Sequence, residues 1–286
     1  MSPVNPAVLV VGSLHYDIVV EADHLPRRDE TGVGHRWFPK FGGKGGNQAV
    51  AVAKAGVPVT MLGAVGDDDF GRFLRAALDS AGVDHSKVRT VDSGSGMSVA
   101  ISDAAGDYAA TIVSGANLLI DPEWLSNLSW EGLSVLVLQS EVPEGINVTA
   151  ARLARQNGIP VLLNAAPARP LSQEFAKLVD ILVVNAIEAE MFGSGVVSNL
   201  PSAEAAARSL SMRFPTVVVT AGGAGLSYAC GDKSGALAAE KVHVVSSHGA
   251  GDCFTGSLAA CLARGENLEG GCRIASQAAA RHVAGE

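Results

Sequence analysis

The sequence predicts an α/β protein built on a doubly wound, mostly parallel sheet with a small β-sheet lid. Three observations predict it. Short β-branched runs alternate with helix-like stretches along nearly the whole chain. Several of those runs are apolar on both faces, as in a sheet covered on both sides. Two further segments alternate polar and apolar residues between turn residues, as short exposed antiparallel strands do. In chain order, strands are expected at Ala7–Val11 and at residues 59–62, 135–138, 161–163, 181–184, 217–220 and 242–245. The covering helices are expected at 47–55, 70–80, 145–156, 203–212 and 251–263, with Gly56, Gly82, Gly158 and Gly265 standing where helices commonly terminate. The two alternating segments are 18–38 and 97–113, the second containing the turn Asp103-Ala104-Ala105-Gly106-Asp107, and they place the lid at about 14–40 and 96–114. No low-complexity linker, charge block or fixed-period repeat interrupts this rhythm, so residues 1–286 read as one α/β unit.

The composition narrows the function. A chain of 286 residues that is 48% hydrophobic and 17% charged buries a sizeable core and is too apolar for intrinsic disorder. Twenty-one Lys and Arg against 29 Asp and Glu give a net charge of -8, which disfavours nucleic acid and anionic membranes as partners. An anionic ligand must then be held by local groups. Cys230, Cys253, Cys261 and Cys272 form no Cys-x-x-Cys pair and read as reduced, mostly buried thiols. With no secretory leader and no apolar run near the ~18 residues of a membrane span, the expected location is cytoplasmic. Two glycosylation-like triplets, at Asn127 and Asn147, are chance matches in that setting.

Common nucleotide motifs are missing. Lys44 is followed by Gly45 and Lys233 is preceded by Asp232, so neither completes a P-loop, and Gly12 alone follows the first strand where a dinucleotide fold wants three spaced glycines. Instead, Ser247-His248-Gly249-Ala250-Gly251-Asp252 leads into a helix expected to start near Gly251. Small residues let backbone approach a ligand, and free N–H groups at a helix start suit a transferring phosphoryl group. Asp252 beside them is placed to accept a proton from an attacking hydroxyl. The same residues also suit a plain glycine-rich turn with Asp252 as a cap. A second glycine-rich entry, Phe41-Gly42-Gly43-Lys44-Gly45-Gly46-Asn47, presents one cation and one amide that can both donate to sugar hydroxyls, or forms a flexible loop capped by Asn47.

These two stretches, with their order and separation, resemble the ribokinase family of carbohydrate kinases, also called the PfkB family. Gly12-Ser13-Leu14-His15-Tyr16-Asp17 is similar to the family's substrate strand, and Leu138-Gln139-Ser140-Glu141 to the segment whose Glu approaches the sugar. Asn164-Ala165-Ala166-Pro167-Ala168 is similar to a following family segment, Asn185-Ala186-Ile187-Glu188 fits the family's Asn-x-x-Glu, and Thr220-Ala221-Gly222-Gly223-Ala224-Gly225 looks like its nucleotide loop. The resemblance implies a ribokinase-like fold with Asp252 as catalytic base and the amides of Gly249, Ala250 and Gly251 as the anion hole. It further implies sugar binding by Asp17, Gly43, Lys44, Asn47 and Glu141, magnesium handled through water by Asn185 and Glu188, and a nucleotide site lined by Thr220, Gly222, Gly225 and Ser276. Asn185 belongs to the nucleotide side as well.

Three departures from the family pattern qualify this. His15 replaces an Asn beside the sugar and joins the candidate substrate ligands as a titratable ring or as a packed aromatic. Ser246 stands where the family has an Asp that helps bind potassium, so potassium activation is expected to be weak or absent. His248 is placed either to supply a positive charge to the transferring phosphate or to stand by, exposed. Third, relatives continue past the last helix where this chain ends at Glu286. The reading is an ATP- and magnesium-dependent kinase of a primary sugar hydroxyl, most simply ribose, dimerising through its lid. The alternatives are a nucleoside or other furanose kinase and a catalytically weak sugar-binding homologue.

Overall fold

The computed structural model describes residues 6–103 and 108–286, so the expected turn at 104–107 lies outside the described residues. In chain order the elements are β1 (Ala7–Val11), β2 (His15–Ala22), β3 (Gly34–Gly42), α1 (Lys44–Lys54), β4 (Val59–Gly66), α2 (Asp69–Ser80), β5 (Asp84–Val91), β6 (Met97–Asp103) and β7 (Tyr108–Val113). There follow α3 (Glu123–Ser126), β8 (Leu133–Gln139), α4 (Glu144–Gln156), β9 (Val161–Asn164), α5 (Gln173–Leu178), β10 (Ile181–Asn185), α6 (Ala186–Met191) and α7 (Leu200–Leu210). The chain then forms β11 (Thr216–Thr220), β12 (Gly225–Cys230), β13 (Lys233–Ala238), α8 (Ala250–Ala263) and α9 (Leu268–Ala284).

The large sheet has the order β13-β12-β11-β10-β9-β8-β1-β4-β5, parallel from β11 through to β5 and antiparallel only in the β11-β12-β13 edge. β1 is buried because its neighbours on both sides and both faces are protein. Leu9 and Val11 belong to the core cluster containing α4 and α7, while Val8 and Val10 belong to the one containing α1 and α8. The chain leaves β1 between β4 and β8, the crevice at the carboxyl ends of the strands where open α/β sheets bind ligands.

The lid is a second sheet, β3-β2-β6-β7, whose central pair β2 and β6 is parallel. It is anchored by Tyr16, stacked at 4.1 Å on Phe70 of α2 and edge-on to Phe73. Of its apolar side chains, Ile18, Val20, Val99 and Ile101 are half-buried, whereas Trp37 is 63% and Ile112 57% exposed.

Several expected elements are corrected. Residues 242–245 form no strand; the hairpin of β12 and β13 takes the sheet edge, and Val242, Val244 and Val245 are exposed. β5 was not expected because an edge strand beginning Asp84-His85-Ser86-Lys87 carries little apolar signal. Helix α9 was missed because Gly270 and Gly271 read as breakers, although Asn267 caps it and it packs along α8. α1 starts at Lys44, three residues early, because Gly43 at φ +86° supplies its start. The four cysteines are free, but only Cys261 and Cys272 are buried; Cys230 is exposed. Burial pushes the Cys272 thiol up to about 12. Among the described residues no helix is long and apolar enough to cross a membrane.

Candidate active site

The turn from β1 to β2 lies directly on the first turn of α1. A Cβ on Gly43 would stand 2.7 Å from His15 N and Leu14 Cα, so only glycine permits both this approach and the positive φ. Asn117 locks the turn from the other side, accepting from Leu14 N and donating to Leu14 O, each at 2.9 Å. Glu141, just beyond β8, clamps the same corner: its Oε2 accepts from Ser13 Oγ at 2.5 Å and from Lys44 N at 2.9 Å, with His15 Nδ1 3.8 Å away. Oε1 takes no part in these contacts. His15 is buried and its Nε2 has no hydrogen-bond partner among the described residues. Asp17 is held by Ser98 Oγ at 2.5 Å and packs so closely on Gly42 that a Cβ there would fall 2.0 Å from Asp17 Oδ2.

Across the crevice, Gly249 in the left-handed conformation starts α8. Among the described residues the amides of Gly249 and Gly251 make no backbone bond, while Ala250 N makes a long 3.3 Å bond to Ser247 O, which weakens its share in the expected anion hole. Asp252 lies in the first turn, 6% exposed. Its Oδ1 accepts from Gln48 Nε2 at 2.9 Å and its Oδ2 from Asn47 Nδ2 at 3.3 Å. Burial raises its pKa, opposed by Lys44 and by the two amide donors.

Asn185 and Glu188 form a capping box at the start of α6: Glu188 N donates to Asn185 Oδ1 and Asn185 N to Glu188 Oε2, both at 2.8 Å. Burial also raises the Glu188 pKa, against the bond from Asn185 and the nearby Lys44.

A cavity of about 170 Å³ brings these groups together, lined by Lys44, Asn164, Asn185, Glu188, Thr220 and Asp252 among others. The flexible loop capped by Asn47 is not formed, because α1 begins at Lys44 with Gly43 at its N-cap and Asn47 inside the helix. Thr220, Ala250, Gly251 and Phe254 also line a larger, mostly apolar cavity of about 450 Å³, where Gly222, Gly225 and Ser276 lie. Asn47 borders a third space of about 460 Å³ with Lys40, Lys54, Arg264 and Arg281.

His248 is exposed, donates its backbone N–H to Ser246 Oγ and accepts from His282 Nε2 at its carbonyl. Desolvation and the neighbouring Lys40 and Lys44 lower its pKa despite Asp17 and Asp252, which disfavours its charged form. Sequence reading missed Ser13, Gln48 and Ser98. Each is a short or neutral polar residue whose importance lies in what it touches across 81 to 204 positions of sequence.

A family model described as pfkB family carbohydrate kinase matches residues 5–284. Ribokinase of Bacillus subtilis is 34% identical over 278 residues, covering 96% of this chain and 92% of that protein. Mus musculus ribokinase is 34% identical over 273 residues, covering 92% and 83% respectively. A solved structure of Arabidopsis thaliana ribokinase complexed with ribose and ATP superposes with a TM-score of 0.88 at 30% identity, covering 97% of this chain and 92% of that one.

Proposed function

The chain belongs to the pfkB family of carbohydrate kinases, and from that premise we propose that it transfers the γ-phosphoryl group of ATP to O5 of ribose. Its fold is the ribokinase-like α/β arrangement, and it is a phosphotransferase acting on a sugar hydroxyl. The observation that carries the reading is the cavity in which Asp252, Lys44, Asn185 and Glu188 meet, sharing its wall with the larger apolar cavity.

Asp17, Gly43, Lys44, Asn47 and Glu141 hold the sugar, with His15 beside Glu141. Asp252 takes the proton of the acceptor hydroxyl as its oxygen bonds to Pγ and the bond from Pγ to the bridging oxygen breaks, releasing ADP. The amides of Gly249 and Gly251, with a smaller share from Ala250, and the Lys44 cation stabilise charge developing on the transferring group. Thr220, Gly222, Gly225 and Ser276 line the nucleotide cavity, whose apolar wall suits a base. The donors at the phosphate end are the Asn185 amide and the Glu188 carboxylate, hard oxygen ligands too few to cage an ion. They fit magnesium that keeps most of its waters. Magnesium supplies charge neutralisation on the phosphate oxygens when bound.

The whole chain acts as one unit in the cytoplasm, its small sheet closing over the sugar and pairing with a second copy through Trp37 and Ile112. Ser246 offers no carboxylate to a monovalent cation, so potassium activation is weak or absent. The test is ADP release with ATP and magnesium against a panel of pentoses, hexoses and nucleosides. Ribose is expected to give the highest kcat/KM, and a nucleoside outrunning every free sugar refutes the assignment.

A further inference from the structure

Gln48 is fully buried in α1, and every polar atom of its side chain is used. Nε2 donates to Asp252 Oδ1 at 2.9 Å and to Asn164 Oδ1 at 3.0 Å, while Oε1 accepts from Gln139 Nε2 at 2.9 Å. Neighbours fix this orientation. Asn164 Nδ2 donates to the Val183 carbonyl, which turns its Oδ1 toward Gln48. The backbone carbonyl of Gln139 accepts from Asn147 Nδ2 at 2.7 Å, while its side-chain Oε1 has no hydrogen-bond partner among the described residues. The space beside its amide exists because residue 12 is glycine, where a Cβ would fall 1.9 Å from Gln139 Oε1. Reversing the Gln48 amide would set its oxygen against Asp252 Oδ1 and Asn164 Oδ1, two acceptors it cannot bond. One orientation survives.

We propose that Gln48 is a positioning residue for phosphoryl transfer: it occupies Oδ1 of Asp252 from within the core and leaves Oδ2, the oxygen with the weaker hydrogen bond, as the atom that receives the acceptor's proton. Oδ2 has only the long Asn47 contact to give up when a hydroxyl arrives. The inference rests on the kinase reading above. The donor also favours the ionised carboxylate, which is the form a base requires. Other groups facing Asp252 are Lys44 from α1, Glu141 after β8, Glu188 from α6 and His248 before α8. None of them approaches Oδ1 in a hydrogen bond among the described residues.

The experiment replaces Gln48→Met, which keeps the length and removes both donors. Expected are a fall in kcat of about tenfold or more, ribose KM within about twofold, and an acid limb of the kcat profile moved up by about one pH unit. A variant with wild-type melting, wild-type kcat and an unmoved limb overturns the proposal. Gln139→Met touches neither Asp252 nor the cleft and loosens only the orientation of Gln48, so a smaller shift in the same direction is expected. If Gln48→Met does not fold, the Gln139→Met limb decides, and no movement overturns the proposal. A wild-type protein that releases no ADP with any sugar would instead defeat the kinase reading. In that event the Asp252 carboxyl titration, followed by ¹³C NMR and assigned with Asp252→Asn, reads Gln48 alone; an upward shift in Gln48→Met supports the positioning role and none refutes it.

Discussion

Replacing Asp252→Asn separates chemistry from architecture more cleanly than any other change at this site. Asn keeps an oxygen in place of Oδ1 for Gln48 to bond at 2.9 Å. Its new NH2 stands where Oδ2 accepts the 3.3 Å contact from Asn47, so two donors face each other and one weak hydrogen bond is lost, about 1 kcal/mol. Opposing that is a gain: burial raises the Asp252 pKa, so the folded state disfavours the ionised form. For an acid with a raised folded pKa, the favourable contribution is complete below its ordinary pKa and lost as pH rises through the folded value. Asn does not titrate. Asp252→Asn is therefore expected to melt as high as wild type or higher at pH 8, an advantage that vanishes on acidification. Activity moves the other way. Loss of a general base lowers kcat by about 10²–10⁴-fold, or roughly 3–5 kcal/mol in barrier, while sugar KM changes less than about threefold. A coupled assay of ADP release measures both constants. A fall in kcat below about tenfold removes Asp252 from proton transfer, and a collapse of sugar affinity with it makes the residue architectural. In wild type, kcat is lost on acidification at a pH above the ordinary Asp value of about 3.9.

Four further outcomes are expected. Gly42→Ala drives a methyl group to 2.0 Å from Asp17 Oδ2 and should raise sugar KM at least about tenfold with a smaller effect on kcat; an unchanged KM excludes Asp17 from the sugar site. Asn185→Ala removes the cap of α6, costing about 1 kcal/mol in stability, and should raise the KM for magnesium-ATP more than that for sugar. Turnover should be equal in sodium, potassium and choline buffers, since Ser246 brings no carboxylate; a tenfold potassium effect counts against this. Light scattering at micromolar concentration should give a dimer that Trp37→Glu dissociates, and a wild-type monomer would rule out pairing through the lid.

The parts of the fold that could be read in advance were those in which one residue type serves one purpose. β1 is apolar on both faces because both faces are covered, and the glycines ending the helices are required by the backbone itself. Asp252 and Lys44 were visible because glycine-rich helix starts are locally encoded. Residues 242–245 look like a strand by pattern, yet the hairpin of β12 and β13 already fills the edge they would join, a competition no local window records. Gln48 was invisible for a related reason. A glutamine beside Asn47 at the start of a helix reads as solvated, and only the convergence of α1, β8, β9 and α8 buries it. Ser98 similarly gains its role from strand pairing, which sets it opposite Asp17.

The Tyr16 stack on Phe70 makes the small sheet a cantilever clamped at its root. A swing of that sheet would grow with distance from the clamp, so Trp37, paired opposite Val20, would move farther than Asp17, the residue next to Tyr16. The exposed indole at position 37 would therefore report such a swing by its change of surroundings.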